Sequence, residues 1–254
     1  MFSLPAIDDL SDAELQAYAD RWFDDCETPV SDVTTIDQYY NLVLPRNVFM
    51  KSLPRGSRIL DVGAGDGSLA IAKRWPLIER PDLKLYALSL DVGVHFGMYE
   101  AFEVKNFEAD PNVFPGITFD AMVCAHFIEH MRDPAKSIEF FAQRMSSGGR
   151  LYIEWPHPMA VRLPSRARLI EKGINISTFN FFDDHTHIEA WPAEQIIEIF
   201  QRNGFALETG GRVYLPWVGN QLRDHASVDY DETRMTLGAW AAFGWAQYLV
   251  LNRK

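Results

Sequence analysis

The 254-residue chain is short of several things, and each shortage narrows what it can be. It has two cysteines, Cys26 and Cys124, in no metal or redox spacing, so a reducing cytoplasm is the expected compartment. Long apolar runs are missing too. The longest, Leu237 to Leu251, is interrupted by Gln247 and too short to cross a bilayer, so it reads as a helix end followed by a final strand and no membrane partner is expected. Met1 to Leu10 lacks a basic segment followed by an apolar one, so no secretory signal is visible. No internal repeat or low-complexity run occurs. Basic residues are few, with 24 Lys and Arg against 35 Asp and Glu for a net charge of −11. Phosphate backbones need a basic track, so nucleic acid is disfavoured as a partner.

The acidity is uneven. Residues 1–37 hold Asp8, Asp9, Asp12, Glu14, Asp20, Asp24, Asp25, Glu27, Asp32 and Asp37 against Arg21 alone. Two readings stand: a solvated helix face, or a helical lid over a pocket. The rest of the composition is that of a folded enzyme-sized domain, 47% hydrophobic and 23% charged, and one large α/β domain is expected in place of two small ones.

Periodicity supplies the organisation. Helices are predicted over 8–27, ended by Pro29, and over 36–53, stopped at Pro54-Arg55-Gly56. Strands and helices then alternate: strand 58–62, helix 67–75, strand 83–90, helix near 93–103, strand 119–124, helix 134–145 and strand 150–154. A helix over 192–203 and strands over 205–213 and 245–252 close the chain. Such alternation implies right-handed parallel crossovers and a doubly wound sheet. Residues 1–54 are expected to form an N-terminal helical cap, and 55–254 the main domain. Two stretches within that domain, 155–191 and 214–240, are left over. They are expected on the substrate side, because ligands of open α/β sheets sit beyond the carboxyl ends of the strands.

The most informative segment is Ile59 to Ser68, I-L-D-V-G-A-G-D-G-S, an apolar strand running into a turn with glycine at every second position. Glycine tolerates positive φ and lets a ligand approach the main chain. A dinucleotide fingerprint needs G-x-G-x-x-G, and its third glycine position falls here on Ser68. The carboxylate of Asp61 would repel a pyrophosphate and attract an ammonium group. The segment resembles motif I of the class I S-adenosylmethionine-dependent methyltransferases, whose loop holds the amino-acid end of the cofactor. Phe119 to His130 resembles that family's fourth strand, F-D-x-V-x with a loop ending in E-H. Gly148 to Glu154 resembles the fifth, and Asp110 lies five residues before Pro115, where the family places an acid for the adenine amino group.

The resemblance covers about residues 55 to 213 and implies a Rossmann-like, seven-stranded, mostly parallel sheet with the last strand antiparallel. It implies S-adenosyl-L-methionine as cofactor, with Gly63, Gly65 and Gly67 approaching it, Asp61 meeting its ammonium, Asp110 serving its adenine amino group, and Ala125 also among the cofactor-binding residues. At the end of strand two the family carries a ribose-binding acid. This chain departs there, placing Ser89 at that position and Asp91 two residues later, and Asp91 is favoured over Ser89. No D/N-P-P-Y/F sequence follows strand four, which further disfavours a nucleic-acid substrate.

Substrate-side candidates are mostly histidines. Five of seven, His126, His130, His157, His185 and His187, follow strands four and five. His126, His130 and His187 are the candidate bases; His130 could equally be a structural contact at a helix start. Phe182 to Trp191, containing His185 and His187, resembles a T-H element of small-molecule members, including the ubiquinone-pathway O-methyltransferases. A zinc site from His185, His187 and Asp183 or Asp184 is conceivable, but methyl transfer needs no metal and none is expected. Arg162, Arg166, Arg168 and Lys172 form the one basic patch. They suit an anionic acceptor, or else complement the acidic N-terminal helix. Tyr39 and Tyr40 are candidates for a pocket wall, as are Trp155, Phe179, Phe181, Phe182, Trp191 and Trp217, most of which are expected in the core. The expected activity is methyl transfer to oxygen or nitrogen of a small molecule by direct displacement. The alternative is a cofactor-binding regulatory or scaffolding protein without transfer activity.

Overall fold

The computed structural model describes residues 2–106 and 108–254. In chain order the elements are α1 (Pro5–Asp8), α2 (Asp12–Asp24), α3 (Val33–Val43), α4 (Pro45–Ser52), β1 (Arg58–Val62), α5 (Leu69–Ala72), β2 (Lys84–Ser89), β3 (Ala101–Val104), β4 (Phe119–Ala125), α6 (Pro134–Arg144), β5 (Met145–Pro156), α7 (Arg166–Glu171), α8 (Ala193–Arg202), β6 (Phe205–Arg212), α9 (Pro216–Asp229), α10 (Glu232–Phe243) and β7 (Ala246–Arg253). The seven strands form one sheet in the order β3-β2-β1-β4-β5-β7-β6, mostly parallel with the last strand antiparallel. This is the doubly wound Rossmann-like sheet expected from the sequence. No helix among the described residues is long and apolar enough to cross a membrane.

The central strands are largely apolar because both of their faces are covered. In β1, Ile59, Leu60 and Val62 are wholly buried, and β4 buries Ala121 to Cys124. β1 pairs in parallel with β2 (Val62 opposite Leu88) and with β4 (Val62 opposite Cys124), and β4 pairs with β5 (Ala125 opposite Glu154). The carboxyl ends of these strands therefore share one edge of the sheet. Whatever is carried just past Val62, Ser89, Ala125 and Glu154 is brought together there.

Several helices differ from expectation, for identifiable reasons. The predicted helix over 36–53 is two, α3 and α4, because Pro45 starts a new helix and Leu44 before it is extended. The 67–75 helix is only α5, ending ahead of Pro76. The 8–27 helix starts at Asp12, where Ser11 and Glu14 form a reciprocal capping box. The helix near 93–103 is absent. In its place the β2-to-β3 crossover is a single 3-10 turn, Phe96–Met98, followed directly by the edge strand β3. Gly93 and Gly97 weaken a helix here. Phe96 is buried and meets Tyr99 and Phe102 at ring distances of 5.5 and 5.2 Å, so an apolar spacing that mimics a helix is satisfied by a turn and a strand.

The chain divides into two compact units. One holds residues 41–155, 193–210 and 248–254 and carries most of the sheet, with a core that includes Phe49, Met50, Ile59, Leu85, Val123 and Tyr152. The other holds 2–40, 156–192 and 211–247, and α4 belongs to the first. In this second unit α9 and α10 cross so closely at Gly219 and Gly238 that a Cβ on Gly219 would lie 2.6 Å from the Gly238 carbonyl oxygen. The α2 ring Trp22 donates to Asn220 at 2.8 Å and packs against Phe23 and Phe243.

Candidate functional site

β1 delivers Asp61 and then the glycine turn to the carboxyl edge of the sheet. The amides of Gly63 and Ala64 both donate to the Leu88 carbonyl, at 2.9 and 3.0 Å, which ties the turn to the end of β2. Gly63 has φ +70°, and a Cβ there would lie 2.8 Å from the Phe127 ring, so this glycine is required by conformation and by a neighbour. Gly65 is different. The nearest atom to a Cβ built there is the Gly63 carbonyl oxygen at 3.9 Å, so the middle of the loop faces open space. A Cβ on Gly67 would meet Phe96 at 2.9 Å and Tyr99 at 3.2 Å.

Asp61 is 6% exposed, and one of its oxygens accepts the Tyr99 hydroxyl at 2.6 Å. Burial pushes its carboxyl up to about 6, against the pull of the Tyr99 hydrogen bond and the Arg46 guanidinium. The Tyr99 hydroxyl is held protonated by its own burial and by Asp61. Among the described residues, a hydroxyl and a nearby guanidinium are what compensate the buried Asp61 carboxylate.

The ends of β4 and β5 carry a second charged group. His126 sits in left-handed backbone at φ +53°, with its amide donating to the Glu154 carbonyl at 2.8 Å. Its Nε2 is 3.0 Å from the Glu154 carboxylate and its Nδ1 is 3.5 Å from Glu129. Glu129 is fully buried, and neither of its oxygens makes a hydrogen bond among the described residues. Glu154 also accepts the Tyr152 hydroxyl. Burial alone would lower the His126 pKa, but the two carboxylates outweigh it and raise it to about 9. Burial would raise Glu154, yet His126 and Arg46 hold it down at about 2. His126 is therefore an imidazolium at neutral pH, which removes it as a ready general base.

Arg46, Glu129 and Glu154 have no assigned role in the sequence reading. Arg46, on α4, acts electrostatically on Asp61, Tyr99, Tyr152 and Glu154. Its signal is faint: it is the only Lys or Arg between Arg21 and Lys51. Glu154 is easier to see afterwards, as an acid within the otherwise apolar Leu151 to Trp155 run of a buried strand.

Ser89 ends β2 half-buried, Asp91 lies exposed beyond it, and Ala125 ends β4 half-buried. Asp110 is exposed and paired with Lys105 at 3.0 Å, which lowers its pKa. His130 is half-buried in a 3-10 turn, its amide donating to Phe127 at 3.1 Å. In the other unit His157 caps a turn, its Nδ1 accepting the Met159 amide at 3.1 Å. The His187 Nδ1 lies 2.6 Å from the Phe181 carbonyl oxygen, and its ring lies 4.6 Å from that of Phe181. His185 is exposed. Asp183 accepts the amides of Arg166, Phe179 and Asn180, so both its oxygens serve the local turn and not a zinc ion. Tyr40 is core, and Tyr39 meets Trp217 edge-on at 5.9 Å.

The basic patch is consumed within its own unit. Arg162 pairs with Asp12 at 2.7 Å, and Arg168 and Lys172 both pair with Asp20, at 2.6 and 2.8 Å. Arg166 donates to the Ile176 carbonyl at 2.8 Å and lies 3.7 Å from Glu232. Three of the four basic side chains, Arg162, Arg168 and Lys172, thus complement the acidic N-terminal segment.

A family model described as a methyltransferase domain matches residues 36–209, more than half of the chain. The chain belongs to that methyltransferase family. Curated relatives agree: it is 26% identical over 233 residues to the ubiquinone biosynthesis O-methyltransferase of Xanthomonas axonopodis pv. citri, covering 84% of this chain and 88% of that protein. A counterpart from Xanthomonas euvesicatoria pv. vesicatoria is 28% identical over 231 residues, with the same coverage. Among solved structures, an S-adenosylmethionine-dependent methyltransferase from Mesorhizobium loti superposes with a TM-score of 0.54 at 16% identity, over 86% of this chain and all of that one, which speaks for the fold. This methyltransferase is of class I, dependent on S-adenosylmethionine. The buried Asp61 carboxylate beside the glycine turn is chemically suited to a cofactor that carries an ammonium.

Proposed function

We propose that this methyltransferase binds the methionine end of S-adenosylmethionine through Asp61, Arg46 and the loop around Gly65, and moves the methyl group to an oxygen or nitrogen of a small molecule by direct displacement. The observation that carries the reading is Asp61 itself. A carboxylate this deeply buried has a raised pKa and, among the described residues, no cation at salt-bridge distance, a state that an incoming ammonium relieves. A sulfonium is already a good electrophile, so holding the acceptor in line supplies much of the rate. Oxygen is the favoured target, since the curated relatives are named O-methyltransferases, although coclaurine N-methyltransferase shares the fold. Asp91 or Ser89 is the proposed ribose ligand. A cytoplasmic setting and a small, uncharged or cationic acceptor complete the proposal. Incubating the protein with S-adenosylmethionine and a panel of phenols, alcohols and amines, and measuring S-adenosylhomocysteine release, tests it. Acceptor-dependent release supports transfer, and binding without release by any member of the panel counts against it.

The alternative of a cofactor-binding protein without transfer activity draws on the same site. His126, which would otherwise serve as base, has carboxylates at 3.0 and 3.5 Å from its two ring nitrogens and is protonated at neutral pH. It also draws on the departure at the end of β2, where Ser89 stands at the position of the ribose-binding acid.

A further inference from the structure

The hydroxyl that holds Asp61 comes from the stretch where the sequence predicts a helix and the structure has none. Between β2 and β3 the chain makes one 3-10 turn, Phe96–Met98, and Tyr99 follows directly, its amide donating to the Phe96 carbonyl at 3.1 Å. The next amide, of Glu100, donates to the Leu85 carbonyl at 2.8 Å, so the backbone is fastened on both sides of the Tyr99 side chain. Its ring lies 5.5 Å from that of Phe96, and a Cβ on Gly67 would come within 3.2 Å of it. The bare backbone at Gly67 is what lets Tyr99 reach β1. There its hydroxyl donates to Asp61 Oδ2 at 2.6 Å, with the Gly67 carbonyl a more distant acceptor at 3.3 Å. All of these residues belong to one compact unit.

A carboxylate has two oxygens to offer. Tyr99 takes Oδ2, and among the described residues no hydrogen-bond donor reaches Oδ1. The charged groups that act on Asp61 are Arg46, from α4, and Asp66, from the glycine loop, while the buried Cys124 thiol on β4 is a neutral neighbour. We propose that Tyr99 is a positioning residue of the cofactor site: its hydroxyl holds one oxygen of the buried Asp61 carboxylate and so presents the charge and the other oxygen to the ammonium of S-adenosylmethionine. The inference rests on the cofactor reading above. A hydrogen bond donated to a carboxylate favours the charged form, burial favours the neutral one, and a neutral carboxyl has no charge with which to hold an ammonium. The hydroxyl remains a donor throughout, because its own burial and Asp61 keep it protonated. Without it, burial and Asp66 are opposed by Arg46 alone, and Asp61 takes up its proton at a pH about one unit higher.

The test is calorimetric titration of the full chain with S-adenosylmethionine at several pH values from 5 to 7.5, on wild type and Tyr99→Phe, a change that removes one oxygen and keeps the ring. Above that range the ligand's own ammonium starts to lose its proton. Wild-type affinity should fall on the acid side of about pH 6. In Tyr99→Phe the fall should begin near pH 7, which leaves affinity within about twofold of wild type at pH 7.5 and about tenfold weaker at pH 5. Repeating the titration at pH 6.5 in two buffers of different ionisation enthalpy counts the protons released per ligand bound. About one quarter is expected for wild type and about three quarters for Tyr99→Phe, the ligand's own ionisation being common to both. Because this count is made per bound ligand, a partly unfolded sample does not distort it. An unchanged pH profile and proton count in Tyr99→Phe overturns the proposal, as does a loss of affinity that is equal at every pH, which would make Tyr99 a packing residue only. No binding by wild type, or wild-type binding that is flat across pH, removes the cofactor reading of Asp61 itself, a result distinct from a variant that follows the wild-type curve.

Discussion

Asp61 shows how one residue ties stability to function. At pH 8 it is ionised in both folded and unfolded chains, but the folded pKa of about 6 exceeds the ordinary 3.8, so its ionisation opposes folding. The cost is about 3 kcal/mol, since each tenfold change in proton affinity corresponds to about 1.4 kcal/mol. Asp61→Asn keeps an oxygen for the Tyr99 hydroxyl and removes the charge. It should stabilise the free protein at pH 8 by about 2 kcal/mol, read by urea denaturation, while lowering S-adenosylmethionine affinity at least a hundredfold by calorimetry. A destabilised Asn variant would show that the burial cost is offset by something else. Arg46→Met should weaken the cofactor by roughly tenfold and leave its adenosine portion binding as before, which competition with adenosine would reveal. Asp61 was legible in the sequence because its surroundings, an apolar strand and a glycine turn, are local. Arg46 and Glu154 were not, because they acquire meaning only when α4 and β5 bring them to Asp61 and His126. A histidine likewise reads as a base until its two neighbouring carboxylates are known.

At the scale of elements, strands β1, β4 and β5 could be read directly, since a strand buried on both faces leaves a continuous apolar run. The crossover from β2 to β3 could not. Its Phe96, Tyr99 and Phe102 recur at helical spacing, and only the packing shows that Phe96 is fastened beneath the glycine loop. Gly93 makes that possible: a Cβ there would lie 2.5 Å from the Gly65 carbonyl oxygen and 2.6 Å from Asp66. Since backbone must shift to admit it, Gly93→Ala should cost about 2 kcal/mol in denaturant melts and also weaken S-adenosylmethionine several-fold, because the displaced atoms belong to the loop that holds it. Gly219→Ala serves as the comparison in the α9–α10 pair, where a Cβ would lie 2.6 to 2.8 Å from Gly238 and Ala242. A similar loss of stability is expected there. An unchanged melt for either would mean that the close approach relaxes at no cost. The predicted helix over 36–53 failed for a simpler reason, the Pro45 start that separates α3 from α4.

For the whole molecule, the buried charges set opposing limits on the pH range of stability. Glu154, held at about 2 against an ordinary 4.5, contributes stability that is present above 4.5 and lost as pH falls through 2. His126, raised from 6.5 to about 9, contributes stability present below 6.5 and lost as pH rises through 9, and the two act as one coupled pair. Asp61 adds an alkaline step of its own, because its protonated form suits the apo fold and that advantage disappears as pH rises through 6. Thermal melts across pH should therefore peak near pH 4 to 4.5, fall from there to pH 6 as Asp61 ionises in the folded chain, and fall again between 6.5 and 9 as His126 loses its proton. Saturating S-adenosylmethionine should change the shape as well as the height of that curve. Its ammonium stabilises the ionised form of Asp61, so the cofactor-induced rise in Tm should be larger at pH 8 than at pH 5, and affinity should fall by up to about tenfold per unit below pH 6. A cofactor shift that is equal at both pH values would separate Asp61 from the ammonium and reassign it to holding Tyr99, leaving the amino-acid end of the cofactor to Arg46 and the Gly65 backbone.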